Sequence, residues 1–246
     1  TFGDAFLNRE LWSETDEEAI RVDDEQIAGL ERKTALEQNG FRVGQIGGLL
    51  PSKLQDLLTS TRCCQTRRIQ KHAGRETTLT CGSPWPHCRC RFVHDDRSAT
   101  LEMDKAQCEF TVVPTLADEG RIHLRFTPRI KHGEGEMAFM TMRDSDGQLH
   151  WGRQEHQAEE VYPWLSWTLT VAPNEYVVLG AVLENGATLG EHFFLTREDD
   201  HPIVQRLLVL RATHVPTPAG PIEASLGPCP PLALRASLIT ARGSCE

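Results

Sequence analysis

The chain has 246 residues with 35 acidic against 26 basic side chains, a formal charge of −9. That length can bury a sizeable core, in one large domain or two small ones. The basic residues are dispersed apart from Arg67-Arg68 with Lys71, which argues against a nucleic-acid reader, since that class needs a positive face.

No apolar run approaches the roughly 18–20 residues of a spanning helix, so no spanning helix is expected and membrane association stays open. The opening TFGDAFLNRELW has neither the basic start nor the apolar stretch of a leader. The expectation is a chain that is either cytosolic or processed.

Residues 1–60 form an acidic segment with helical propensity. Its clearest signal is a stop: Gly40 follows Asn39 as a left-handed residue past a helix end, with Phe41 placed to fold back on Leu36. FRVGQIGG then predicts a short strand, and Pro51 suits the first turn of a helix over SKLQDLLTS. The unit is predicted to be helix–strand–helix.

Residues 61–107 are rich in cysteine. The chain's eight cysteines are Cys63, Cys64, Cys81, Cys88, Cys90, Cys108, Cys229 and Cys245. Such a number suits disulfides in an oxidising compartment, and an even count fits pairing without fixing partners. Zinc at Cys81, Cys88 and Cys90 and free buried thiols are the alternatives, although CGSPWPHCRC lacks paired CxxC spacing. The segment is expected to be short strands, RETTLTC among them, stapled by disulfides.

Residues 108–215 predict a mainly antiparallel β-rich domain. In CEFTVVPTLADEGRIHLRFTPRI, Cys108, Phe110 and Val112 share one face, and Ile122, Leu124 and Phe126 share one face after the turn at Asp118-Glu119-Gly120. Glu109 is expected on the wet face. Pro114 and Pro128 lack the N–H that a ladder needs, so each is expected to end regular pairing. Further strands are predicted in WLSWTLTVAP, YVVLGAVL, EHFFLT and IVQRLLVLRATHV, with PNE as a turn. The intervening 131–163 region, rich in charge and histidine, predicts a loop. Residues 216–246, punctuated by proline and glycine, predict a tail that wraps the body or reaches a neighbour. The fold class expected is α+β.

The order CEFTVVPTLADEGRIHLRFTPRI, then SWTLTVAPNEYVVLGAVL, then QRLLVLRATHV resembles the C-terminal β-domain of bacterial secretins over about residues 107–214. That family runs strand–proline, a turn with a "dG" pair, a second strand and proline, and later a strand–turn–strand ahead of a closing apolar strand. The resemblance implies a ring-forming protein of the cell envelope, in the periplasm, outer membrane or at the surface, built as a homo-oligomer with other envelope proteins as further partners. The chain departs from the pattern at Ala172-Pro173-Asn174-Glu175, which lacks the family's glycine, and in the short region upstream.

Catalytic signals are absent: there is no GxSxG, SxxK, P-loop or HExxH. His132, His150 and His156 near Glu155, Glu159 and Glu160, and His87 in the cysteine region, are explained by a polar surface, so no enzyme, metal or cofactor is expected. HDD at 94–96 and EDDH at 198–201 predict turns. The better lead is aromatic. Trp167 belongs to a core face with Leu165 and Leu169, while Trp151, Tyr162 and Trp164 are candidate interface or binding residues. The alternative to self-assembly is a monomeric secreted module that uses this tryptophan-rich face for a glycan or peptide.

Overall fold

A computed structural model describes residues 4–21, 29–95, 97–143, 148–183, 186–196, 204–214 and 231–242; the side chains of 64–65, 136, 138–140, 142–143, 150, 152–156, 214, 231 and 241–242 lie outside that description. In chain order, a π-helical turn (Phe6–Glu10) runs into α1 (Leu11–Ser13), followed by α2 (Gly29–Gln38), β1 (Phe41–Ile46) and α3 (Ser52–Thr59). Then come β2 (Cys63–His72), β3 (Thr77–Thr80), β4 (Trp85–His94), β5 (Arg97–Leu116), β6 (Ile122–Arg143) and β7 (Leu149–Val161). The chain closes with β8 (Trp167–Val171), β9 (Tyr176–Ala181), α4 (Leu189–Phe194), β10 (Leu195–Thr196), β11 (Val204–His214) and β12 (Pro231–Arg242).

The strands form two six-stranded sheets whose pairings are all antiparallel, giving the expected α+β, β-rich class. The first sheet runs β1-β9-β11-β12-β2, with β10 beside β11. In the second, the long strands β5 and β6 pair with each other. β5 also takes β4 and then β3 on its other flank, and β6 takes β8 and then β7. Strands from all four stretches of sequence separated above share the first sheet.

Residues from both sheets make one core: Leu210, Leu234, Val177 and Leu179 from the first, Phe110, Leu124, Phe126 and Leu169 from the second. Trp167 lies flat on Phe126, with ring centroids 5.1 Å apart and planes 9° apart. Each fully buried side chain of this size contributes roughly 1.5–3 kcal/mol. A smaller core covers the opposite face of the first sheet, where Leu7, Leu11, Trp12 and Leu54 meet Val178, Leu207, Val209 and Ile239.

The β5–β6 hairpin matches the alternation in the sequence. Cys108, Phe110, Val112, Ile122, Leu124 and Phe126 are all 0% exposed, and Gly120 takes a positive φ of 74°. The prolines act differently from expectation, because the β5–β6 ladder continues through Pro114↔Leu124 and Phe110↔Pro128. A strand residue directs its N and its carbonyl to the same side. The Pro114 carbonyl accepts from Gly74 N–H at 2.7 Å, on the flank where β3 has ended, and the Pro128 carbonyl accepts from Tyr162 N–H at 3.0 Å, in the gap between β7 and β8. Each missing N–H therefore falls where no ladder bond is required.

Three other expectations are corrected. EHFFLT is mainly helical: α4 buries Leu189, Phe193 and Phe194, and the Glu191 carboxylate reaches back to accept the Ala187 N–H at 2.7 Å. The 131–163 region is a hairpin, with β6 and β7 in register from Arg129↔Val161 to Arg143↔Leu149. The C-terminal stretch supplies β12 inside the first sheet, between β11 and β2, with Leu232, Leu234, Ala236 and Leu238 alternating into the core.

Candidate assembly surface

An antiparallel sheet has two flanks, and a flank strand presents backbone N–H and C=O groups to whatever lies beside it. Among the described residues, β2 pairs only with β12, from Pro231↔His72 to Ile239↔Cys63. It spans 10 residues, CCQTRRIQKH, with Arg67, Arg68 and Lys71 and no acidic side chain. Thr66, Arg67, Arg68 and Gln70 are exposed, and no ion pair engages Arg67, Arg68 or Lys71 among the described residues.

On the second sheet, β7 pairs only with β6 among the described residues. Its 13 residues, LHWGRQEHQAEEV, include Glu155, Glu159 and Glu160 against Arg153. Glu159 and Glu160 are exposed. Among the described residues, two long flanks with no second strand partner thus carry opposite charge. At the opposite ends, isolated bridges join Asp16 to Gln45 on β1 and Arg91 to Thr188 on β4, while on the same side as β7 Arg21 bridges to Thr168 on β8.

Beyond Lys131, β6 has left β5 and keeps β7 as its partner, with a bulge between His132 and Glu136 where Gly133 has φ of 81°. The resulting two-stranded arm carries Met137, Leu149 and Trp151 at 58%, 65% and 75% exposure. A lone two-stranded ribbon is marginal in water, and exposed large apolar side chains on one mark a contact surface.

The three aromatic candidates separate. Trp151 is on the arm, opposite Thr141. Tyr162 is 4% exposed, inside the core, with a hydroxyl that finds no hydrogen-bond partner among the described residues; burial first, then neighbouring cysteines and Glu160, pushes its phenol up. Trp164 is half-buried and stacked on His94, centroids 4.3 Å apart and planes 27° apart, beside Phe92. The tryptophan-rich face expected from the sequence is therefore not one surface.

The cysteines divide likewise. Cys63, Cys81, Cys88, Cys90 and Cys108 are free thiols in place of the expected staples; the Cys64 side chain and the expected partners Cys229 and Cys245 lie outside the described residues. Cys81, Cys88, Cys90 and Cys108 are at most 1% exposed and share the main core. Cys81 N–H donates to the Cys108 carbonyl at 2.9 Å. Burial pushes the Cys81 and Cys108 thiols up, and a hydrogen bond between Cys88 and Cys90 raises the first and lowers the second. Thiols held protonated in this way, as at Cys81 and Cys108, are poor nucleophiles and poor metal ligands.

Among the described residues, no group of three or more His, Cys, Asp and Glu is arranged to hold a metal ion. His87 pairs at the surface with Asp104 at 2.8 Å. His94 and Asp95 turn the β4–β5 hairpin, with Asp95 at φ of 50°. His150 and His156 lie on β7 with side chains outside the description, and EDDH at 198–201 is outside it altogether. Among the described residues, no helix is long and apolar enough to cross a membrane.

What sequence reasoning missed is the flanks. The signal available in CCQTRRIQKH beside its cysteines is TRRIQK, with three cations and one apolar residue, Ile69, a composition that suits an edge strand. Comparisons of the chain with family models, with curated proteins and with solved structures find no match.

Proposed function

We propose that this chain is a non-enzymatic structural protein of the cell envelope or surface that self-assembles through its β-domain into a ring or other homo-oligomer. The observation that carries the reading is the pair of open flanks of opposite charge, β2 with Arg67, Arg68 and Lys71 and β7 with Glu159 and Glu160. A strand from one copy can complete the ladder of the next, and charge complementarity selects the pair β2 with β7 over β2 with β2 or β7 with β7. Such a contact is head-to-tail, so it propagates and closes into a ring when the rotation between copies allows. The secretin-like order of strands and turns over residues 107–214 supports the same reading, as does the arm with Trp151 at its surface.

Size-exclusion chromatography with light scattering tests it. The native chain is expected to run as a multimer. Arg67→Glu/Lys71→Glu, which makes both flanks acidic, and Glu159→Lys/Glu160→Lys, which makes both basic, are each expected to run as monomers, and mixing the two variants restores assembly. A native chain that stays monomeric at high concentration sinks the proposal.

A further inference from the structure

The outer face of the first sheet carries a row of which the assembly reading uses only the edge residue, Arg68. Tyr176 on β9 stands opposite Arg211 on β11, Arg211 opposite Arg235 on β12, and Arg235 opposite Arg68 on β2. These are four successive strands, so three arginines occupy one row on one face at the strand spacing of roughly 4.8 Å. The face is set by parity: Leu210, Leu234 and Ala236 point into the main core, while Val209, two residues from Arg211, joins the smaller core on the other side. Like charges directly opposite each other across a ladder destabilise it unless something compensates them.

Among the described residues, no carboxylate supplies that compensation. Arg211 is held by neutral oxygens, Nε donating to the Pro173 carbonyl at 2.9 Å and a terminal nitrogen to Asn174 Oδ1 at 3.2 Å, with its guanidinium 5.5 Å from the Tyr176 ring centroid. Arg235 and Arg68 are exposed, and neither has an ion-pair partner among the described residues. Arg211 and Arg235 line a groove of about 690 Å³ whose wall, among the described residues, contains no acidic side chain, in a chain whose net charge is −9. That volume is typical of a small-molecule site.

The rest of the groove is apolar and hydroxylic. Leu50 and Leu58 line it, Ser237 lies next to the arginine row, and Leu49 stands at the rim with 96% of its surface exposed. Gly48, with φ of 74°, turns the chain so that Leu49 follows directly on β1's exit loop. The groove therefore offers apolar surface and cations side by side.

We infer that this groove binds an organic anion, a carboxylate or phosphate monoester with an apolar body, its charged head between Arg211 and Arg235 and its body against Leu49, Leu50 and Leu58. Guanidinium forks match such heads in two-point hydrogen bonds. Arg68 extends the positive row to the sheet's edge. The inference does not depend on self-assembly.

Calorimetric titration of the full chain tests it, with octyl phosphate below its micelle concentration, inorganic phosphate and octyl glucoside as probes. Octyl phosphate is expected to bind saturably, more tightly than inorganic phosphate, and Arg235→Gln is expected to weaken it roughly tenfold. Leu49→Ser weakens octyl phosphate and leaves inorganic phosphate alone. Both side chains are exposed, so neither change threatens folding, and circular dichroism checks it. Equal binding of octyl glucoside, or an octyl phosphate affinity unchanged by Arg235→Gln, overturns the inference. Flotation with phosphatidylglycerol vesicles separates the sources: flotation lost in Arg235→Gln assigns a lipid headgroup, and soluble binding without flotation assigns a free organic anion.

Discussion

The carboxamide of Asn39 and the backbone of Val93 bond to each other twice: Nδ2 donates to the Val93 carbonyl at 2.9 Å, and Oδ1 accepts the Val93 N–H at 2.8 Å. A side chain thereby takes the place of a neighbouring strand at the end of β4. The same Nδ2 also donates to the Ala35 carbonyl at 2.8 Å, closing the last turn of α2, and Asn39 is 0% exposed. Removing the amide orphans both Val93 groups, while the Ala35 carbonyl keeps the Asn39 backbone N–H at 3.2 Å. Asn39→Ala is expected to cost about 2–4 kcal/mol, read as a shift in the urea midpoint at unchanged slope. Asn39→Asp keeps the acceptor and loses both donors, so it should also destabilise.

Gly40, the next residue, has φ of 80° and a backbone wedged against α4, where an added Cβ would lie 2.0 Å from Thr188 Oγ1. At Gly190 an added Cβ would lie 2.1 Å from the Gly40 carbonyl oxygen. Gly40→Ala and Gly190→Ala are each expected to cost at least about 2 kcal/mol. They should differ in rescue. Thr188→Ala removes the hydroxyl that meets Gly40→Ala but leaves Cβ 2.8 Å away, so it recovers part of the loss, whereas the obstacle at Gly190 is backbone, so the same change does nothing for Gly190→Ala. Thermal denaturation of the two double mutants reads the difference.

That junction was half legible. Asn39-Gly40-Phe41 gave the end of α2 because a left-handed glycine after a helix is a local signal. Nothing local indicated that Asn39 would reach Val93, since those residues are 54 positions apart. The β5–β6 hairpin was legible through strict alternation, while the β6–β7 arm was not: its strands carry charge and histidine and are held by backbone pairing. α4 fell to the usual ambiguity of a short apolar run. β12 was hidden behind the proline-rich stretch before it, although LALRASL alternates as a strand should. The arginine row depends on the register of β11, β12 and β2, which come from separate parts of the chain, and no single stretch of sequence contains it.

Glu109 shows what alternation misjudges. It sits on the face opposite Phe110, as expected, yet is 7% exposed. Arg129 meets it with Nε and a terminal nitrogen at 3.1 and 3.0 Å and extends to Thr78 Oγ1 at 2.6 Å and Glu159 Oε1 at 3.1 Å; Lys131 stands 3.4 Å from Glu109. Arg129 thus ties β3, β5, β6 and β7 together. Breaking a buried pair leaves a charge without its partner, and Arg129→Ala is expected to cost about 3 kcal/mol. Glu109→Gln should cost less, because Arg129 retains Thr78 and Glu159. A double-mutant cycle measured by urea denaturation should give a favourable coupling energy; additivity would mean the pair is not coupled.

The thiols give a pH dependence with a definite sign. Burial raises Cys81 and Cys108 above the ordinary thiol range, so the folded chain holds protons that the unfolded chain releases. Their contribution is fully present below the unfolded thiol range and is lost as pH rises past it. Stability should stay level to about pH 8 and fall above about pH 9, where unfolded thiols ionise. Lysines and tyrosines also titrate there, so the informative quantity is the difference from Cys81→Ala and Cys108→Ala, whose alkaline slopes should be shallower than the native chain's. Alkylation supplies a second readout. In native protein at pH 8, iodoacetamide should label half-buried Cys63 and spare Cys81, Cys88, Cys90 and Cys108, and all four should label once urea unfolds the chain without reductant. If the four resist labelling until reductant is added, they are disulfides, and both the free-thiol geometry and the alkaline slope drawn from it fail together.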